Sequence, residues 1–324
     1  MTTDAYGRDV RLLGRRRSDP AVKETSGTFV LLPLFTATLG VNQPNTAEAK
    51  IPGDRLPADN IPDLAESGGT IETCADADAL GWHLYQMFGA PQTTGSGDPY
   101  AHEFALAAGD LPIMDLRLEH GGLNSPLYED HPGAVWNTMQ IRVAKQGAAQ
   151  RVNFGLLTRG QDAIGSSVAA GALEPSNNVI FRSWQGNVSV AGDAVGRIVG
   201  CDFTVSNGLQ PDQGLLNQLP TPADYLLGDL AVSGTLRVRH SSDFYDALAR
   251  SNGKVNITGG WTHAAGRSLA FSLHNAQLPR TPTNISNTGV IERDYPFALG
   301  RPDSGVPPVT VTLTNARADW DMPS

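Results

Sequence analysis

Cysteine is nearly absent. The 324 residues hold two, Cys74 and Cys201, far apart and without a Cys-x-x-Cys pair, so neither a disulfide framework nor a zinc ribbon can be built from them. Both read as small buried hydrophobes. Lysine is scarce as well, four against twenty arginines. Basic side chains are outnumbered 24 to 33, leaving a net charge of −9, which excludes generic attraction to nucleic-acid phosphates. Only 18% of residues are charged and 40% are hydrophobic, which excludes a disordered chain or a coiled coil. No apolar run approaches the ~20 residues of a membrane helix. The apolar residues 29–35 follow Arg15-Arg16-Arg17, but Asp19, Pro20 and Glu24 intervene, against an export signal.

Enzyme signatures are missing too. There is no phosphate-binding Gly-x-x-x-x-Gly-Lys-Ser/Thr, no Gly-x-Ser-x-Gly nucleophile turn, no His-Glu-x-x-His and no dinucleotide glycine motif after a strand. The seven histidines show no metal-ligand pair spacing and read as structural. Asp54, Asp59 and Asp63 lack the order and closing Glu of a calcium loop. Asp76 and Asp78 sit where a helix starts, so capping explains them better than paired-carboxylate chemistry. The five tryptophans are scattered and form no stacking platform.

Glycine and proline are plentiful, 35 and 22, as many turns and short strands require. Apolar and polar residues alternate over 135–143, 236–239 and 309–314, the pattern of half-buried strands. Gln146-Gly147 and Asn207-Gly208 supply hairpin turns. Helical period is confined to Leu80, Leu84, Met87 and Phe88, ended by Gly89, and to a segment from Ser241 or Ser242 through Phe244 and Leu248 to Asn252-Gly253. Each helix follows a similar strand: Gly69-Thr70-Ile71 matches Gly234-Thr235-Leu236 at an offset of 165, and the helices match at 164. This predicts a mainly β, antiparallel sandwich or barrel, internally duplicated, with two short flanking helices. Residues 1–27, without apolar period, read as an extended arm; 28–165 and 166–324 read as two similar units, the first carrying a long loop over 41–68.

Residues 69–73 (GTIET) lead into the 79–88 helix, followed by 100–104 (YAHEF) and Leu111-Pro112. This strand, helix and strand run resembles one found in the tail tube proteins of long-tailed, siphovirus-like bacteriophages. Residues 192–207 (GDAVGRIVGCDFTVSN) and 232–238 (VSGTLRV) look like later strands of that family. The resemblance implies a structural virion protein, without catalytic residues, metal or cofactor, that is made in the bacterial host cytoplasm. It would form rings, six-membered or, for a doubled chain, trimeric and pseudo-hexameric, stacked into a tube that conducts DNA without sequence-specific binding. The tape measure, tail terminator and distal tail proteins would be its partners, with no membrane involved.

Assembly residues follow from the same reading. Arg15, Arg16 and Arg17 on the arm would contact a neighbouring subunit. Ile51, Leu56, Ile61 and Leu64, apolar points in the 41–68 loop, would dock on the adjacent ring. The alternative is a β-sandwich module that binds a receptor or glycan through loop aromatics; a hydrolase with a convergent site is a third reading.

Overall fold

The computed structural model describes residues 6–24, 27–47, 59–106, 109–123, 127–162, 165, 179–191, 197–215, 219–241, 243–263, 266–282, 288–301 and 305–321. The first half contains β1 (Val10–Arg16), β2 (Val30–Leu32), β3 (Thr36–Asn42), β4 (Asn45–Ala47), β5 (Asn60–Pro62), β6 (Glu66–Cys74), α1 (Leu80–Phe88), β7 (Gln92–Thr94), β8 (Tyr100–Ala105), β9 (Met114–His120), β10 (Leu127–Ala144) and β11 (Arg151–Leu157). The second contains β12 (Asn187–Val190), β13 (Ile198–Ser206), β14 (Gln210–Asp212), β15 (Asp224–Leu226), β16 (Ala231–Arg239), α2 (Phe244–Ser251), β17 (Lys254–His263), β18 (Arg267–Gln277), β19 (Glu292–Leu299) and β20 (Val309–Asn315). The expected mainly antiparallel β fold with two short helices is present.

Seven strands lie side by side in the order β3-β6-β11-β10-β13-β16-β19, each neighbouring pair antiparallel. Alternation fixes their register. Met139, Ile141 and Val143 on β10, Phe203 and Val205 on β13, Val152 and Phe154 on β11, and Tyr295 and Phe297 on β19 are all buried on one face. A one-residue slip would turn that row to water, and each such side chain contributes about 1.5–3 kcal/mol by burial. A register shift between His131 and Ala134 divides β10. Its first half pairs with β9, which continues to β1 and β2, while its second half joins the seven-stranded sheet. Strands β12, β17, β18, β20, β8 and β7 extend the pairing on the other side.

The α1 helix closes the core with Leu80, Leu84, Met87 and Phe88. Of the two aspartates expected to cap it, Asp76 caps the turn that leads into the helix: its Oδ1 accepts the backbone N–H groups of Asp78 and Ala79 at 2.7 and 2.6 Å, and no side chain caps Ala79, where the helix starts. His83 stacks on Phe154 at 4.9 Å and accepts a hydrogen bond from Trp136 Nε1 at 3.2 Å. A Cβ on Gly81 would lie 2.0 Å from the Trp320 ring, so only glycine fits there. The α2 helix ends at left-handed Asn252 and is tied to β19, because Asp246 receives Arg293 Nη1 at 2.6 Å and the Tyr295 hydroxyl at 3.1 Å.

Two expectations need correction. The described part of residues 1–27 is not an extended arm: β1 lies between β2 and β9, with Leu12 and Leu13 fully buried. The described residues of 41–68 are not all loop either, 48–58 lying outside the described set. Strand β3 continues to Asn42, β6 begins at Glu66, and β4 pairs with β5 between them. Pro62 is tolerated because that two-stranded pair is exposed and, among the described residues, has no further neighbour needing its missing N–H. Residues 207–230 do the same thing, with β14 pairing β15 between β13 and β16. The order strand, small hairpin, strand, helix thus occurs twice. The two halves share pairing, β10 with β13 and β20 with β8. The expected division at 165/166 borders residues 166–178, outside the described set.

Candidate assembly surface

The face of the seven-stranded sheet turned away from the core is polar. Along one row across it stand Thr36, Glu72, Asn153, Gln140, Thr204 and Ser233, each registered against the next. Four arginines share this face, and each meets an acid. Arg237 contacts Asp294 at 2.8 Å, Arg239 contacts Glu292 at 3.3 Å, Arg142 contacts Asp202 at 3.5 Å, and Arg151 pairs with Glu72. The first three are directly opposed cross-strand pairs. Such exposed pairs add ~0.2–1 kcal/mol each; their larger consequence is a surface whose cations are neutralised in place. The hydrogen bond to Asp294 raises the Arg237 guanidinium further above its ordinary value.

Both edges of this sheet are open among the described residues. Strand β3 pairs only with β6. Strand β19 pairs with β16 on one side, and on the other only Ala298 and Leu299 meet β18. An unpaired edge is a template for another strand.

Because the seven strands alternate in direction, β3 and β13 run the same way, and the connections that follow them leave from the same end of the sheet. They touch there: the Ala65 N–H donates to the Pro220 carbonyl at 2.9 Å, and Gln213 Nε2 donates to the Ala65 carbonyl at 3.1 Å. Ile61 and Leu64, two of the four residues expected to dock on the adjacent ring, are exposed on this end. Ile51 and Leu56 lie outside the described residues. Leu215, Leu219, Leu226 and Leu227, exposed by 54–63%, were not expected. Their signal was leucine recurring inside a Pro-, Asp- and Gly-rich loop where nothing local buries it.

The arginine triplet has a different position from the one expected. Arg17 is buried against Asp115 at 2.8 Å, both side chains being 4% exposed. Arg15 donates to the Thr28 carbonyl at 2.9 Å, and Arg16 lies 4.1 Å over the Tyr85 ring and donates to the Trp320 carbonyl. These three side chains fasten β1 to the body. Next to them, burial opposes ionisation of Asp130, but Arg117 at 2.6 Å and Lys23 at 2.7 Å hold its carboxyl below the usual range.

Among the described residues no group of three or more His, Cys, Asp or Glu side chains could hold a metal. Burial pushes His83 down to about 3, and raises the Cys74 and Cys201 thiols to about 11 and about 12, so none is a ready nucleophile or base at neutral pH. No helix among the described residues is long and apolar enough to cross a membrane.

No curated protein matches the chain. A model of the phage tail tube protein family matches residues 7–299, nearly the whole length. That span takes in the polar-faced sheet, both open edges and both paired connections, and the chain therefore belongs to the phage tail tube protein family, a structural component of the virion tail.

Proposed function

We propose that copies of this chain close into a ring by pairing β3 of one copy with β19 of the next, and that rings stack into the tube through which phage DNA leaves during ejection. The observation that carries this reading is the seven-stranded sheet itself, polar on one face and, among the described residues, unpaired along β3 and along all of β19 but Ala298 and Leu299. Ring closure would pair both edges and turn the polar face toward a channel. On that face every arginine has an acid beside it, so passing phosphates meet no unneutralised cation that would hold the DNA back.

Strand spacing favours three copies. Seven strands from each of three copies, at ~4.8 Å per strand, give a wall about 100 Å around and about 32 Å across, wider once the strands tilt. That accommodates a duplex, whereas six copies would make a channel about twice as wide. The repeated order of strand, small hairpin, strand and helix supports the same number, since a doubled chain in a trimer presents six similar units. The tape measure, tail terminator and distal tail proteins are the expected partners at the channel and its two ends.

Negative-stain microscopy and mass photometry of the purified protein at rising concentration test the proposal. Three-copy rings that stack into tubes are expected. A strict monomer at every concentration, with or without other tail proteins, would sink it.

A further inference from the structure

We infer that the two ends of the seven-stranded sheet are complementary contact surfaces, an acidic leucine end and a basic tryptophan end, which join copies of the chain head to tail. The inference rests on the ring reading above and says what holds one ring to the next.

The charge of the chain is unevenly placed. The described residues of 41–68 and 207–230 hold six acidic side chains and no basic one, against a net charge of −9 for the whole chain. Asp59, Glu66 and Asp229 are exposed there, beside the exposed leucines 215, 226 and 227.

The other end has the opposite character. The turn after β10 exposes Lys145. Residues 181–184 are held against that turn by the Ala149–Arg182 bridge and by the Gln150 N–H donating to the Phe181 carbonyl at 2.8 Å. Arg182 and Arg197 are exposed nearby, and Trp184 is 52% exposed. None of these three cations has an ion-pair partner among the described residues. Lys145 and Trp184 border a hollow whose walls include Val143, Val188 and Val199, a surface with the chemistry to receive leucine.

The two ends cannot meet within one copy. Strand β13 separates Arg197 from the 207–230 connection by nine residues, about 30 Å of extended chain. A second copy is thus the occupant: its acidic leucine end has the negative charge that the basic end lacks and the leucines to fill its hollow. Because the unlike ends lie on opposite sides of a ring, a contact between them leaves one free end on each side and so propagates along the ring axis. That is what a stack of rings requires.

The test uses two full-length variants altered only at exposed positions. Leu226→Ser with Leu227→Ser disables one end; Lys145→Glu with Trp184→Ala disables the other. Circular dichroism melts should match wild type for both. Each variant alone is expected to give single rings, with the concentration for half-maximal polymerisation raised about tenfold or more. An equimolar mixture should give stacks of two rings, because each variant keeps one intact end. Tubes of wild-type length from either variant, or a mixture that stays as single rings, would overturn the inference while leaving the ring in place. Absence of rings from wild type would instead remove the ring reading itself. A charge-only variant, Glu66→Gln with Asp229→Asn, gives an independent reading: its tubes should be shorter and less sensitive to ~1 M salt than wild type, and unchanged length and salt response would count against complementary ends.

Discussion

Replacing Arg17 by Met tests how firmly the N-terminal strand belongs to the body. Arg17 donates through Nε to both Asp115 oxygens at 3.0 and 3.1 Å, and through Nη2 to Oδ1 at 2.8 Å. Asp115 also accepts the backbone N–H groups of Glu24 at 2.7 Å and Gly133 at 2.8 Å. With both side chains 4% exposed, removal of the guanidinium leaves a carboxylate buried against two amide dipoles without its hydrogen-bonded cation, Arg117 acting on it only through space. Breaking such a pair costs about 3–5 kcal/mol. At about 3 kcal/mol per molar urea for a chain of this size, the unfolding midpoint should fall by ~1–1.7 M. Adding Asp115→Asn removes the stranded charge while keeping an acceptor for the two N–H groups, so the double variant should recover at least ~1 kcal/mol through coupling. Arg8→Ala is the control, its side chain being 79% exposed, and should stay within about 0.5 kcal/mol of wild type. An Arg17→Met midpoint indistinguishable from that control would mean that β1 detaches freely and that the sheet assignment for residues 10–16 is wrong.

Three further outcomes are expected. His83 is fully buried and neutral in the fold, with its pKa pushed down to about 3 from an ordinary ~6.5, so the unfolded chain binds the extra proton first and stability falls as pH drops below ~6.5, by about 2 kcal/mol between pH 7 and 5; urea titrations of His83→Gln should lack that share of the slope, and an unaltered slope would exclude His83 as its source. Gly81→Leu should fail to fold or lose over ~3 kcal/mol in urea titration, because even a Cβ would fall 2.0 Å from Trp320. Asp294→Asn, which removes the carboxylate hydrogen-bonded to Arg237 and leaves only the more distant Glu292 and Asp202, should change stability by less than ~1 kcal/mol yet slow DNA release from assembled particles, measured by fluorescence of ejected DNA; unchanged release would argue that this face does not meet DNA.

Much of the fold was legible because its strands are half-buried. The 135–143 and 309–314 alternations correspond to β10 and β20, and the Leu80, Leu84, Met87 and Phe88 spacing corresponds to α1 within a residue. Strand β1 was not legible, since Leu12 and Leu13 are adjacent and both buried, which erases alternation, and since the partner of Arg17 is 98 residues away. The same distance hid the charge-paired face: Arg237 and Asp294 are 57 residues apart, Arg151 and Glu72 are 79 apart. Local reading sees isolated arginines where the sheet makes pairs. The 41–68 connection was marked by its prolines, but its counterpart at 207–230 was passed over because leucines in a loop carry no period, and only the fold shows that they face outward together.

The most direct measurement of the central claim is a near-atomic electron cryomicroscopy map of tubes grown from the purified protein. The account predicts three copies per ring, backbone hydrogen bonds between β3 of one copy and β19 of the next, and Arg237–Asp294 and Arg142–Asp202 facing the channel. A ring closed through other strands, or one with this polar face on the outside of the tube, would contradict it.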